Sequence, residues 1–127
     1  MLHHLSLGVS DLERAAAFYD AVLGALGYVR VWSDATAVGY GQDDGEDRLA
    51  IKLRGAEAAP PGAGFHLAFA APDRAAVSKF HAAALGHGGR CNGAPGLRPE
   101  YGRNYYAAFV IDPDGHRIEA VINARQP

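Results

Sequence analysis

Two histidines and a glutamate, His4, His66 and Glu119, are the residues of this 127-residue chain whose types and spacing point to chemistry. Two imidazoles and one carboxylate form the donor set of non-haem iron facial-triad sites, and the same set suits Zn²⁺, Mn²⁺ or Ni²⁺. A shift of the sequence on itself by 62 positions lays His4-Leu5-Ser6-Leu7 on His66-Leu67-Ala68-Phe69. The same shift lays Asp11 on Asp73, Phe18 on Phe80 and Gly24 on Gly86. Polar and glycine matches in one register mark an internal repeat, which apolar matches alone would not. Farther along, a shift of 67 lays Ile51-Lys52 on Ile118-Glu119, so the second copy should carry about five extra residues. The stretch 92–103, rich in Gly, Pro and Arg, is expected to hold them as a loop over the mouth of a site.

Strands must aim these groups. Leu5, Leu7 and Val9 alternate with His4, Ser6 and Gly8, and Phe65, Leu67 and Phe69 alternate with His66, Ala68 and Ala70. If the apolar sets face a helix, the histidines face away from it. By the same rule Lys52 and Glu119 leave the apolar sets of the last strands and join the histidine face. Their neighbours there are small (Ser6, Gly8, Ala50, Ala68, Ala70), which suits a cavity better than a packed core. Each copy reads as strand, helix and three strands, with helices near 10–26 and 72–85. Ser10 with Glu13 reads as a capping box, and Asp112-Pro113-Asp114-Gly115 as a tight turn. The first module should span about 1–56 and the second about 63–124, in one domain of 1–127.

Composition narrows the function. Hydrophobic residues make up 49% and charged residues 20%, the balance of a folded domain, and a net charge of -2 gives no reason to expect nucleic acid or a membrane surface as partner. No apolar run approaches the roughly 18 residues of a membrane span, and the start carries no leader pattern, so a cytoplasmic location is expected. The single cysteine, Cys91, allows no disulfide within the chain. His3, His81, His87 and His116 read as ordinary helix, turn or strand-end residues.

His4-Leu-Ser-Leu-Gly-Val-Ser-Asp11-Leu, Phe18-Tyr19 and Leu23-Gly24 resemble the opening of the vicinal oxygen chelate superfamily, and Asp112-Pro-Asp-Gly-His-Arg-Ile-Glu119 resembles its closing signature. That superfamily includes glyoxalase I, extradiol dioxygenases and the bleomycin and fosfomycin resistance proteins. The resemblance implies an α+β fold: two βαβββ modules whose curved mixed sheets form a half-open barrel, helices outside, often in a homodimer. It implies a divalent metal ion (Fe, Zn, Mn or Ni) held by His4, His66 and Glu119. Glyoxalase I enzymes draw a fourth ligand from the position matched to Lys52, and an ammonium cannot bind a metal, which argues against ordinary glyoxalase I activity.

The leading expectation is a metal-dependent dioxygenase or lyase acting on a small oxygen-rich substrate, with Lys52 and Glu119 as its catalytic groups. Tyr40, Arg98, Tyr101 and Tyr105 are the candidates for substrate binding, with Arg103 beside them on the loop. The competing readings are a non-catalytic binder of the bleomycin-resistance kind, and a relic in which Lys52 and Glu119 form a salt bridge. The resemblance also implies that modules pair either within one chain or by exchange between two, and exchange would draw His4 from one chain and His66 with Glu119 from the other.

Overall fold

The structure, a computed structural model, describes residues 1–125. The first module runs β1 (Leu5–Val9), α1 (Leu12–Ala25), β2 (Val29–Ser33), β3 (Ala37–Gly41) and β4 (Asp47–Leu53). The second runs β5 (Leu67–Ala70), α2 (Arg74–Gly86), β6 (Arg90–Leu97), β7 (Tyr106–Ile111) and β8 (Arg117–Ile122). A short 3-10 turn at Gly55–Glu57 opens the link between them. Each module forms a four-stranded mixed sheet, ordered β1-β4-β3-β2 and β5-β8-β7-β6, and the sheets do not close into a barrel.

Both helices begin on an aspartate. Asp11 accepts from the Arg14 amide at 3.1 Å and Asp73 from the Ala76 amide at 2.7 Å. This corrects the expected Ser10 cap. Ser10 serves the other module instead: its amide and hydroxyl donate to Asp114 Oδ1 at 2.9 and 2.6 Å. Phe18, Tyr19, Val22 and Leu23 of α1 and Val77, Phe80 and Ala84 of α2 are buried, and the two helices pack against each other. Phe18 reaches Gly89, where an added Cβ would lie 2.7 Å from its ring.

The turn between β7 and β8 clamps the modules together. Gly115 holds a φ of 91°, a region open to glycine, and the chain reverses there. The buried Tyr19 hydroxyl donates to Asp112 Oδ2 at 2.6 Å. Burial raises the Asp112 carboxyl pKa against the lowering effect of its hydrogen bonds, and burial beside Asp112 raises the Tyr19 hydroxyl. His116, expected to be unremarkable, is buried, and its Nε2 donates to the Gly8 carbonyl at 2.9 Å. A carbonyl can only accept, which fixes the proton on Nε2.

Strand pairing corrects the repeat. Ser6 lies opposite Ala50 in the first sheet, and Ala68 lies opposite Glu119 in the second. Since Ser6 and Ala68 are repeat partners, Ala50, not Lys52, stands where Glu119 does. Lys52 lies opposite Gly8 and so matches Val121. The expected loop is also half strand. β6 continues to Leu97 through register shifts at Gly93 and Gly96, and the extra residues form the connection 98–105, against 34–36 in the first module.

Candidate functional site

The helix-free face of the second sheet carries the site. On β8, Arg117, Glu119 and Val121 share that face, flanked by Ala68 on β5 and Phe109 on β7. A cavity of about 890 Å³ opens over the sheet. His66, Tyr101, Tyr105, Phe109, Arg117 and Glu119 line it, together with the linker around Gly62 to Phe65.

His66 and Glu119 meet. His66 Nε2 lies 3.0 Å from Glu119 Oε1; the Glu119 side chain is 1% exposed and that of His66 56% exposed. The carboxylate sits at the cavity floor and the imidazole at its open edge. The Tyr105 hydroxyl donates to Glu119 Oε2 through a short hydrogen bond. Burial, and then the bond to Glu119 and its charge, push the Tyr105 hydroxyl pKa up to about 12. Tyr105 therefore stays protonated at neutral pH, occupies one carboxylate oxygen and leaves the other facing His66. Two ligands side by side on one divalent ion, each about 2.0–2.2 Å from it, lie about 3 Å apart. The His66–Glu119 spacing fits that requirement, and the donor types fit Fe, Zn, Mn or Ni.

His4 does not join them. It is exposed, and its Nδ1 lies 2.9 Å from that of His3. Among the described residues no three or more His, Cys, Asp or Glu side chains come together to hold a metal ion. One chain thus brings together two of the three expected ligands.

The other candidates divide. Tyr105 and Tyr101 line the cavity with ring centroids 5.3 Å apart. Arg98 lies over the Phe109 ring, 5.3 Å from its centroid, and its Nη2 donates to the Ala94 carbonyl at 2.6 Å. Arg103 is exposed. Tyr40 does not face this cavity: it is 1% exposed in the core, and its hydroxyl donates to Asp20 at 2.9 Å. Val38 and Tyr40 share a face of β3, so alternation already placed Tyr40 inside. Lys52 also stands apart from the pair within one chain. It is half-buried on the first sheet, outside the cavity lining, and makes no ion pair with Glu119. Sequence reasoning missed Arg117, although it sits two residues from Glu119 on one strand and so shares its face.

The first module fills the corresponding place differently. On its helix-free face the indole of Trp32 lies against Gly39, where an added Cβ would fall 2.2 Å from the ring nitrogen. Gly39 pairs with Ala50, so the indole covers the position that would answer to Glu119.

Comparison with known proteins follows the same lines. The family model described as Glyoxalase/Bleomycin resistance protein/Dioxygenase superfamily matches residues 1–120. A glyoxalase/bleomycin resistance protein from Albidiferax ferrireducens T118 is 34% identical, covers 94% of this chain and 95% of its own, and superposes with a TM-score of 0.81. A glyoxalase-related enzyme from Fulvimarina pelagi is 24% identical over 94% of this chain and 86% of that one, with a TM-score of 0.72. A glyoxalase I variant from Zea mays is 24% identical over 94% of this chain and 46% of that one, with a TM-score of 0.69. The last two likenesses speak for the fold alone. No match is found among curated proteins.

Proposed function

The chain belongs to the Glyoxalase/Bleomycin resistance protein/Dioxygenase superfamily, and from that premise we propose that it is a metal-dependent enzyme for a small oxygen-rich substrate. His66 and Glu119 hold the ion, and His4 of a second copy completes its ligands. The observation that carries this reading is the His66–Glu119 pair, 3.0 Å apart above a buried carboxylate at the floor of a roomy cavity. A bound divalent ion supplies Lewis-acid stabilisation of an oxyanion on the substrate.

The chain's own residues supply the rest. Glu119 presents one oxygen to His66 because Tyr105 holds the other. A partner that orients a ligand in this way typically strengthens metal affinity by about 10–100-fold. The aromatic walls Phe109, Tyr101 and Phe65 exclude water on one side of the ligand space. The ligand set of glyoxalase I stays incomplete here, now because Ala50 stands where Glu119 is repeated. That favours a three-ligand centre, with dioxygenase or lyase chemistry.

Those aromatic walls would also suit a non-catalytic binder, and metal content separates the two readings. Protein purified without chelator or a metal-affinity tag should carry about one divalent ion per chain by elemental analysis, since two exchanged sites serve two chains. Metal-free protein that also fails to take up Zn²⁺, Ni²⁺, Mn²⁺ or Fe²⁺ would leave the binder.

A further inference from the structure

We propose that the cavity takes a planar, conjugated small molecule bearing a carboxylate, and that Arg117 is the residue that holds that carboxylate. The inference rests on the metal-centred reading above and adds to it an anionic group at a fixed place.

Arg117 lies two residues before Glu119 on β8, about 6.6–6.8 Å away along the strand and on the same face. It is exposed, it lines the cavity, and its guanidinium makes no hydrogen bond or ion pair among the described residues. The repeat supplies a control. The register that lays Ala50 on Glu119 also lays Arg48 on Arg117. Arg48 is engaged at home: its Nη2 lies 3.2 Å from Asp44, and its Nη1 lies 3.3 Å from Glu46. The turn before Arg117 also has two acids, Asp112 and Asp114, but both are committed across the module boundary to Tyr19 and to Ser10 and Arg14. The second module has thus drawn its turn carboxylates away from its arginine and left a permanent cation facing the cavity.

A guanidinium is charged at any pH the protein meets, and its fork of donors fits a carboxylate with two parallel hydrogen bonds. The ring of the ligand has aromatic surfaces to pack on in Tyr101 and in Phe109, one face of which carries Arg98. A ligand held at one end by Arg117 then directs its far oxygens at His66 and Glu119.

Two probes test this on the zinc-loaded protein by calorimetry: catechol, and 3,4-dihydroxybenzoate, which adds the carboxylate. The wild type should bind the acid about tenfold more tightly than catechol, the range of a charge-assisted hydrogen bond at an exposed arginine. Arg117→Gln should abolish that advantage and leave the catechol affinity unchanged. Equal affinities in the wild type, or an advantage that survives Arg117→Gln, would overturn the assignment of Arg117. In that case catechol binding that disappears in Glu119→Gln would leave the metal-centred reading standing. If neither probe binds the zinc-loaded wild type, both readings fall.

Discussion

Glu119→Gln should weaken Zn²⁺ or Ni²⁺ binding by at least about a hundredfold, which is about 2.7 kcal/mol, in calorimetric titrations. Glutamine keeps the shape, and its amide oxygen still accepts from the Tyr105 hydroxyl, so the change removes charge and a ligand without opening a void. The folded structure should survive. Glu119 is 1% exposed, and its partners in the chain are Tyr105 and His66, with no lysine or arginine among them. A buried carboxylate without a permanent cation costs stability, and a protein tolerates that cost where the group has another task. Thermal midpoints of wild type and variant without metal should therefore lie close together, while metal raises only that of the wild type. Equal metal affinities in the two proteins would remove Glu119 from the site.

Phe18→Ala should destabilise the chain by about 3–5 kcal/mol, from the lost burial and the cavity left behind. The ring is 0% exposed, stands edge-on to Tyr19 with centroids 5.0 Å apart, and fills the space against Gly89 at the junction of the two helices. That loss is a large share of the roughly 5–15 kcal/mol that holds an ordinary domain together. The thermal midpoint should fall by about 10–20 °C. The junction matters for the proposed shared site because α1 and the β7–β8 turn fix one module relative to the other, and two copies would need that fixed relation to bring His4 to His66 and Glu119. A drop under about 1 kcal/mol would mean that the helix junction does not hold the modules together.

The sequence carried the repeat, the strand-helix-strand order and the faces of β1 and β5, because alternation and helical spacing are local signals. It failed where long-range pairing decides. A slip of one residue on a strand turns every side chain to the other face, and the hydrophobic pattern reveals it. A slip of two does not: Lys52 and Ala50 share a face, so matching Ile51-Lys52 to Ile118-Glu119 satisfied the alternation yet missed the register set by pairing with β1. Arg48-Leu49 against Arg117-Ile118 was the signal for the true register. Ser10 was misread because its partner, Asp114, is distant in sequence. The role of His116 was hidden for the same reason, since it bonds Gly8 of the other module. The meeting of His66 with Glu119 was legible, because both residues follow the face rule on neighbouring strands. His4 follows the same face rule yet lies exposed beside His3, away from that pair; under the proposed function its place is set by how copies associate.

That association is the centre of the account, and mixing two damaged proteins tests it most directly. His4→Ala and Glu119→Ala are each prepared without metal, mixed in equal amounts, allowed to exchange subunits, and titrated with Zn²⁺. If His4 of one chain completes the His66–Glu119 pair of another, half of the dimers are mixed and each holds one intact site. Tight sites should then return at about a quarter of the wild-type number, while neither variant shows them alone. No recovery in mixtures whose subunits have demonstrably exchanged, or a protein that stays monomeric by light scattering at micromolar concentration, would contradict a site shared between chains.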